Sequence, residues 1–182
     1  MVKLQNILMR TIISTSLLAS PLSKKCLANP PLIEERYKLE KKDLPEAPTY
    51  DYPKEYCAAY ATRVARDKFG KKFIYSNAWD MRYNNKRIME IKNNSQINKA
   101  IKKGVLLPGM IVGIYYPQSK YLRKKDKTGN PVKYTHLAVY VGIDKNGKPT
   151  FYHQFKEKIQ KITLEGIESI GTIKEILDEK TP

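Results

Sequence analysis

The chain has 182 residues, of which 41% are hydrophobic, enough for one domain with a modest core and too few for two independent ones. Its formal net charge is +16, and no apolar run is long enough to span a bilayer as a mature segment. Residues 1–28 hold four of the 34 Lys and Arg and none of the 18 Asp and Glu, which leaves +12 on the remainder. Such a surplus suits nucleic acid, an anionic lipid surface or a wall polyanion, but a lysine-rich solvated surface explains it equally well.

The first 28 residues have the pattern of a secretory signal peptide. Lys3 and Arg10 precede the short apolar stretch TIISTSLLAS, and cleavage after Ala19 or Ala28 would fit the small residues there. An N-terminal helix of the folded domain is the alternative. Cleavage after Ala28 would remove Cys26 and leave Cys57 as the single cysteine of a secreted, periplasmic or wall-associated protein.

Residues 29–52 are rich in proline and charge and have little apolar periodicity. This composition predicts an extended leader or linker lying along a domain surface. The compact domain is expected over residues 53–182.

Helices are predicted first. Apolar residues recur at helical spacing from Cys57 to Phe69, and Gly70 is expected to end that helix, with its entry between Asp51 and Glu55. A second helix is predicted over residues 77–91, capped by Ser76 and with Ala78, Met81, Ile88 and Ile91 facing inward. A third, SQINKAIKKG, is expected to begin at Ser95 and end at Gly104.

Strands follow the helices. The run MIVGIYY (residues 110–116) is β-branched and aromatic, THLAVYVGI (135–143) and TFYHQF (150–155) flank the turn DKNGKP, and two shorter strands are expected near residues 159–163 and 172–177. Helices followed by antiparallel strands indicate an α+β domain.

Cys57 and the two histidines of the chain carry the predicted chemistry. A thiol at a helix N-terminus is favoured as thiolate, and the unpaired N–H groups there can hold an oxyanion. His136 opens one strand of a hairpin and can accept the thiol proton, while His153 on the next strand can fix the tautomer of His136. Gln154 is the second candidate for that third role. Each residue taken alone could instead be structural, since a lone cysteine in a helix is commonly buried.

These segments resemble a known group of enzymes. EYCAAYATRVARDKFG followed by SNAWDMRY is similar to the cysteine helix of CHAP amidase/endopeptidase domains and their NlpC-type relatives. LLPGMIVGIYYP resembles their Pro-Gly strand, and THLAVYVGIDKNGKPTFYHQ resembles their histidine hairpin. The resemblance covers residues 53–156. Met110 departs from the usual Asp after Pro-Gly, and Ala58 departs from the Ser or Thr that often follows the cysteine.

The resemblance implies a papain-like fold, in which N-terminal helices pack on a C-terminal antiparallel sheet. It implies Cys57 as nucleophile, His136 as base and His153 as third member, and a peptidoglycan substrate cut within the stem peptide or at the sugar–peptide amide. Candidate substrate-binding residues are Tyr56, Tyr116 and Gln154. No cofactor or metal is expected, and neither is a nucleic-acid partner or a membrane span; a monomer is expected.

Two other functions fit the same residues. One is a non-catalytic cationic module that binds wall polymers or another polyanion, and the other is an effector or transacylase that uses the same thiol. The loop at residues 117–133 bears on both. It carries Lys120, Arg123, Lys124, Lys125 and Lys127 close to tyrosines, so it could grip a glycan or polyanion, or be a mobile solvated loop. Trp79 and Met81 are expected in the core.

Overall fold

The computed structural model describes residues 43–50 and 56–180. The predicted signal peptide, residues 29–42 and 51–52 of the predicted leader, and the predicted entry to the first helix lie outside the described residues.

The described part of the chain contains helices on both sides of one sheet. The helices are α1 (Cys57–Phe69), α2 (Met81–Asn84), α3 (Ser95–Lys102) and α4 (Leu164–Ile170), with 3₁₀ helices at Ala78–Asp80 and Lys120–Arg123. The strands are β1 (Lys86–Glu90), β2 (Ile111–Tyr115), β3 (His136–Ile143), β4 (Pro149–Phe155), β5 (Lys158–Thr163) and β6 (Thr172–Asp178). No described helix is long and apolar enough to cross a membrane.

The six strands form one sheet in the order β1-β6-β2-β3-β4-β5, and every neighbouring pair is antiparallel. This confirms the predicted α+β class. The last strand of the chain, β6, lies inside the sheet between β1 and β2, because it pairs with both of them.

Alternating side chains of β3 divide the core into two parts. Leu137, Val139 and Val141 pack with the buried side of α1, whereas Ala138 and Tyr140 pack with residues of α3 and α4 on the opposite face. A strand buried on both faces reads as an almost continuous apolar run, which is what residues 137–141 show.

Helix α1 follows its prediction closely. Its buried side chains recur every three to four residues (Ala58, Tyr60, Ala61, Val64 and Ala65), so one side of the helix faces the sheet. Gly70 ends the helix with φ +70°, a conformation that glycine adopts without a Cβ penalty, and donates its N–H to the carbonyl of Arg66.

The predicted helix over residues 77–91 is wrong in its second half. Only α2 and the 3₁₀ turn before it are helical. Ser76 caps neither, since Asn77 is the N-cap residue of the 3₁₀ turn and Asp80 is that of α2. The Asn85 side chain donates to the carbonyls of Met81 and Ile74 and accepts from the N–H of Ile74, which ends the helix. The chain then leaves as β1 and pairs with β6, so tertiary strand pairing overrides the helical spacing of the apolar residues.

Residues 43–50 lie against α1 and the β4–β5 edge. Leu44 is part of the core, and Lys161 donates to its carbonyl at 3.1 Å. The hydroxyl of Tyr152 donates to the Pro45 carbonyl, and that of Tyr60 donates to the Pro48 carbonyl at 3.0 Å. This short segment is therefore tied to α1 and to the distant strands β4 and β5.

Candidate active site

Cys57 is the first residue of α1 and its side chain is buried, with 8% exposed. The first intrahelical hydrogen bond runs from the Tyr60 N–H to the Tyr56 carbonyl, so the N–H groups of the first turn have no acceptor within the helix. The predicted position of Cys57 in the first turn is confirmed.

The two histidines contact each other directly. His136 Nε2 lies 3.0 Å from His153 Nδ1, and the ring centroids are 5.2 Å apart. The β3–β4 register pairs Val139 with Tyr152. Because side chains alternate along each strand, this register places the His136 and His153 side chains on the same face of the sheet. The predicted adjacency of the two rings is confirmed. Phe155 packs against both rings.

Both imidazoles are held neutral by their surroundings. Burial lowers the pKa of His136 well below its ordinary value, and the charge that His153 can carry lowers it further. Burial also lowers the pKa of His153 to about 4, against a smaller opposing contribution from the side chain of Gln160, its cross-strand partner on β5. At neutral pH both rings are therefore unprotonated, which is the form of imidazole that has a lone pair to accept a proton.

Cys57 and His136 line one cavity of about 240 Å³ at the end of the sheet, which we call the thiol cavity. Two predicted substrate-binding residues, Tyr116 and Gln154, line it as well, together with Thr135 and Phe155. His153 does not line it, because it lies behind His136. The structure thus brings Cys57, His136, Tyr116 and Gln154 to one cavity and places His153 as a support of His136.

A second cavity of about 370 Å³ adjoins Cys57, and we call it the aromatic cavity. Tyr56, Tyr75, Trp79 and Tyr121 border it, together with Lys124. It shares Cys57, Tyr121 and Thr135 with the thiol cavity. Tyr56, the third predicted substrate-binding residue, therefore lies on the aromatic side of Cys57.

A third cavity continues from the other end of the thiol cavity. It has a volume of about 370 Å³ and shares Tyr116, Gln118, Phe155 and Lys156 with the thiol cavity. Cys57 is consequently reached by a row of cavities that extends to both sides of it. Such a groove suits an extended substrate better than a small compact one.

The basic loop at residues 117–133 is held in place by hydrogen bonds to the α2 region. The Tyr83 hydroxyl donates to Asp126, the Lys127 N–H donates to Asp80 at 3.0 Å, and Lys127 Nζ donates to Asn84 at 2.6 Å. These bonds fix the 3₁₀ turn that carries Tyr121 over the two cavities.

The approach to His136 is anchored by Tyr134. Its ring lies so close to β2 that a Cβ on Gly113 would be 2.8 Å from the ring atoms, so only glycine fits there. Beneath this ring, the fully buried Glu175 pairs with Arg82 at 2.9 Å. Burial raises the pKa of Glu175, and Arg82 opposes that rise. This network supports the strand start that carries Thr135 and His136.

Sequence reasoning missed several residues of the site. Thr135 and Phe155 adjoin the predicted histidines, and strand alternation alone gives no reason to select them. Trp79 packs partly on the core, as expected, but also borders the aromatic cavity, whereas Met81 is fully buried, as expected. The contact of Trp79 with Tyr121 depends on the docked loop and has no local signal.

Comparison of the chain with protein-family models, with curated proteins and with solved structures finds no match. Among the described residues, no three His, Cys, Asp or Glu side chains converge as a metal site.

Proposed function

We propose that the protein is a cysteine hydrolase of the papain-like, NlpC/CHAP type that cleaves a peptide or amide bond of bacterial peptidoglycan. The observation that carries the proposal is a buried, hydrogen-bonded histidine pair whose first member shares a cavity with a cysteine at a helix N-terminus. Nucleophile, base and orienting group are the three parts that acyl transfer by a thiol requires.

The histidine contact is compatible with the tautomer that the reaction needs. If His136 Nε2–H donates to His153 Nδ1, the other ring nitrogen of His136, Nδ1, carries a lone pair and can accept the thiol proton. His153 then carries its own proton on Nε2, a buried atom that has no hydrogen-bond partner among the described residues. A neutral His153 orients the base without adding a charge beside it.

In the first half of the reaction, Cys57 Sγ attacks the carbonyl carbon while its proton passes to His136 Nδ1. The N–H groups of the first turn of α1 can donate to the oxyanion of the tetrahedral intermediate. The negative charge of that oxyanion in turn stabilises the His136 imidazolium. The C–N bond then breaks, and the amine leaves with the proton from His136. A thioester on Cys57 remains.

In the second half, His136 takes a proton from water, and the hydroxide attacks the thioester carbonyl. The C–S bond breaks, the acid product leaves, and the thiol is restored with the proton that His136 returns. No redox partner is consumed.

The row of cavities and the positive charge support a wall polymer as substrate. A groove on both sides of Cys57 accommodates a branched, extended chain, and a charge of +12 outside residues 1–28 favours an anionic wall. Export by the predicted signal peptide would bring the protein to that wall.

Mass spectrometry of purified muropeptides after incubation with wild type and with Cys57→Ala tests the reaction. Wild type should release defined fragments, and the variant should release none while still binding intact wall. Full hydrolysis by Cys57→Ala would rule out the mechanism. Salt-sensitive wall binding without hydrolysis by either protein would instead support the cationic binding module.

Alkylation by iodoacetamide near neutral pH, followed by peptide mapping, tests the activation of the thiol. We expect His136→Ala to slow modification of Cys57 by about tenfold or more, because the base that draws off its proton is lost. N-acetylcysteine in a parallel reaction serves as the control and should be modified at the same rate in both experiments.

A further inference from the structure

We propose that the aromatic cavity is a sugar-binding subsite that takes an N-acetylated hexosamine ring of the substrate. The inference rests on the proposed function only in assigning the bond cleavage to Cys57; the sugar binding stands on the cavity itself.

Four aromatic side chains border the aromatic cavity. Tyr56 and Tyr75 are 46% and 55% exposed, which makes them two of the most exposed large hydrophobic residues that the structure describes, and both border this cavity. The rings of Trp79 and Tyr121 face each other at 5.4 Å with planes tilted by 33°. A pyranose has apolar C–H faces and a polar rim, and such rings pair well with aromatic side chains that carry polar tips.

Among the described residues, the lining of the cavity carries no negative charge. No described Asp or Glu borders it, and none pairs with Lys124. The Lys124 ammonium lies 5.7 Å from the ring centroid of Trp79 and 5.1 Å from that of Tyr121, so the rings hold it in place. It would repel the free amino groups of a stem peptide, yet it can donate to a sugar hydroxyl or an acetamido carbonyl.

The aromatic cavity lies directly beside the thiol cavity. The aromatic cavity meets the thiol cavity at Cys57, Tyr121 and Thr135, and its volume of about 370 Å³ lies in the range of small-molecule sites. A sugar ring seated there would place a substituent of that ring at the thiol. The subsite therefore favours cleavage of the amide next to the sugar over an amide further along the peptide.

Trp79 is the only tryptophan of the chain, so tryptophan fluorescence reports on this cavity directly. The experiment titrates full-length Cys57→Ser protein, which cannot complete the thiol reaction, with the tetramer of N-acetylglucosamine and, separately, with an alanine-containing tetrapeptide. We expect saturable change in the emission with the oligosaccharide and none with the peptide.

Two matched pairs of substitutions locate the binding. Tyr75→Ser should weaken oligosaccharide binding about fivefold or more, whereas Ile74→Ser, at an equally exposed neighbour that does not line the cavity, should change it less than about twofold. Lys124→Met should weaken binding, and Lys125→Met, with the same change of charge, should not.

Binding of the peptide instead of the oligosaccharide, binding of neither, or oligosaccharide binding that neither Tyr75→Ser nor Lys124→Met weakens would each overturn the subsite. The experiments distinguish failure of the subsite from failure of the hydrolytic function. A wild-type protein that binds the oligosaccharide but cleaves no muropeptide loses only the hydrolytic function. A protein that cleaves muropeptides without binding the oligosaccharide loses only the subsite.

Discussion

His136 Nε2 and His153 Nδ1 lie 3.0 Å apart, on neighbouring strands of one hairpin, and both residues are buried. The β-hairpin register thus sets the orientation of a ring at the thiol cavity through a second ring that does not reach that cavity.

Loss of His153 should act on the rate rather than on binding. His153→Ala is expected to lower kcat by about 100-fold with a small change in KM, because the orientation of His136 is lost while the cavity lining remains. His153→Asn should recover part of the rate, since its amide oxygen can accept from His136. Steady-state kinetics on a purified muropeptide measure both. Gln154→Ala, which alters the lining, should raise KM instead, and an unchanged kcat in His153→Ala would contradict the orienting role.

The protein should lose stability in mild acid because of its buried imidazoles. The folded state resists protonation, with the pKa of His153 lowered to about 4, whereas the unfolded chain takes up protons near its ordinary value of about 6.5. Stability from this source is complete above about pH 6.5 and is lost as the pH falls towards 4.

For His153 alone the loss between pH 7.5 and pH 5 is about 2 kcal/mol. Urea unfolding at the two pH values measures it, and His153→Asn should show a smaller drop than wild type. An equal drop in both proteins would assign the acid sensitivity to other groups.

The buried Glu175 offers a comparison of two arginines that differ in burial. Arg82 pairs with its carboxylate at 2.9 Å and is 11% exposed, whereas Arg87 lies 3.8 Å away and is 48% exposed. Arg82→Met should cost about 3–5 kcal/mol of unfolding free energy, because it leaves a buried charge without its partner. Arg87→Met should cost less than about 1 kcal/mol. Urea denaturation of the two variants measures both losses of unfolding free energy. Similar losses would show that Arg82 is not the principal partner of Glu175.

The docking of the basic loop can be tested by proteolysis. Hydrogen bonds from Tyr83, Thr128 and Asn130 hold the pKa of Asp126 at about 2, with that from Tyr83 contributing most. Asp126→Asn weakens these charge-assisted bonds, so trypsin should cut at Arg123, Lys124 or Lys125 several times faster. Asp144→Asn is the matched control, since Asp144 accepts comparable backbone hydrogen bonds in the β3–β4 turn. Equal protection of the loop in Asp126→Asn and wild type would contradict this anchoring.

Local patterns predicted α1 and the strands from β2 to β4, because each has one uniform period and a clear terminating turn. They also predicted the histidine pair, since a short hairpin leaves few choices of register between residues 136 and 153. The interval 86–90 could not be assigned in this way. Its partner, β6, lies some 85 residues further along the chain, and only that pairing makes it a strand.

The aromatic cavity could not be predicted from local sequence patterns either. Tyr121 and Trp79 are about 40 residues apart, and they meet because Asp80, Tyr83 and Asn84 hold the loop down. No periodicity encodes such side-chain bonds between a loop and a short helix. The short helix α4 was also not predicted: its seven residues are too few for a periodic signal, although the Thr163 side chain caps it.

The attachment of residues 43–50 has a practical consequence for making shortened versions of this protein. A recombinant form that began at residue 53 would uncover the core around Leu44 and deprive the Tyr60 and Tyr152 hydroxyls of their carbonyl acceptors. Part of the proline-rich stretch thus packs on the domain and stabilises it, and a soluble expression product should start ahead of Asp43.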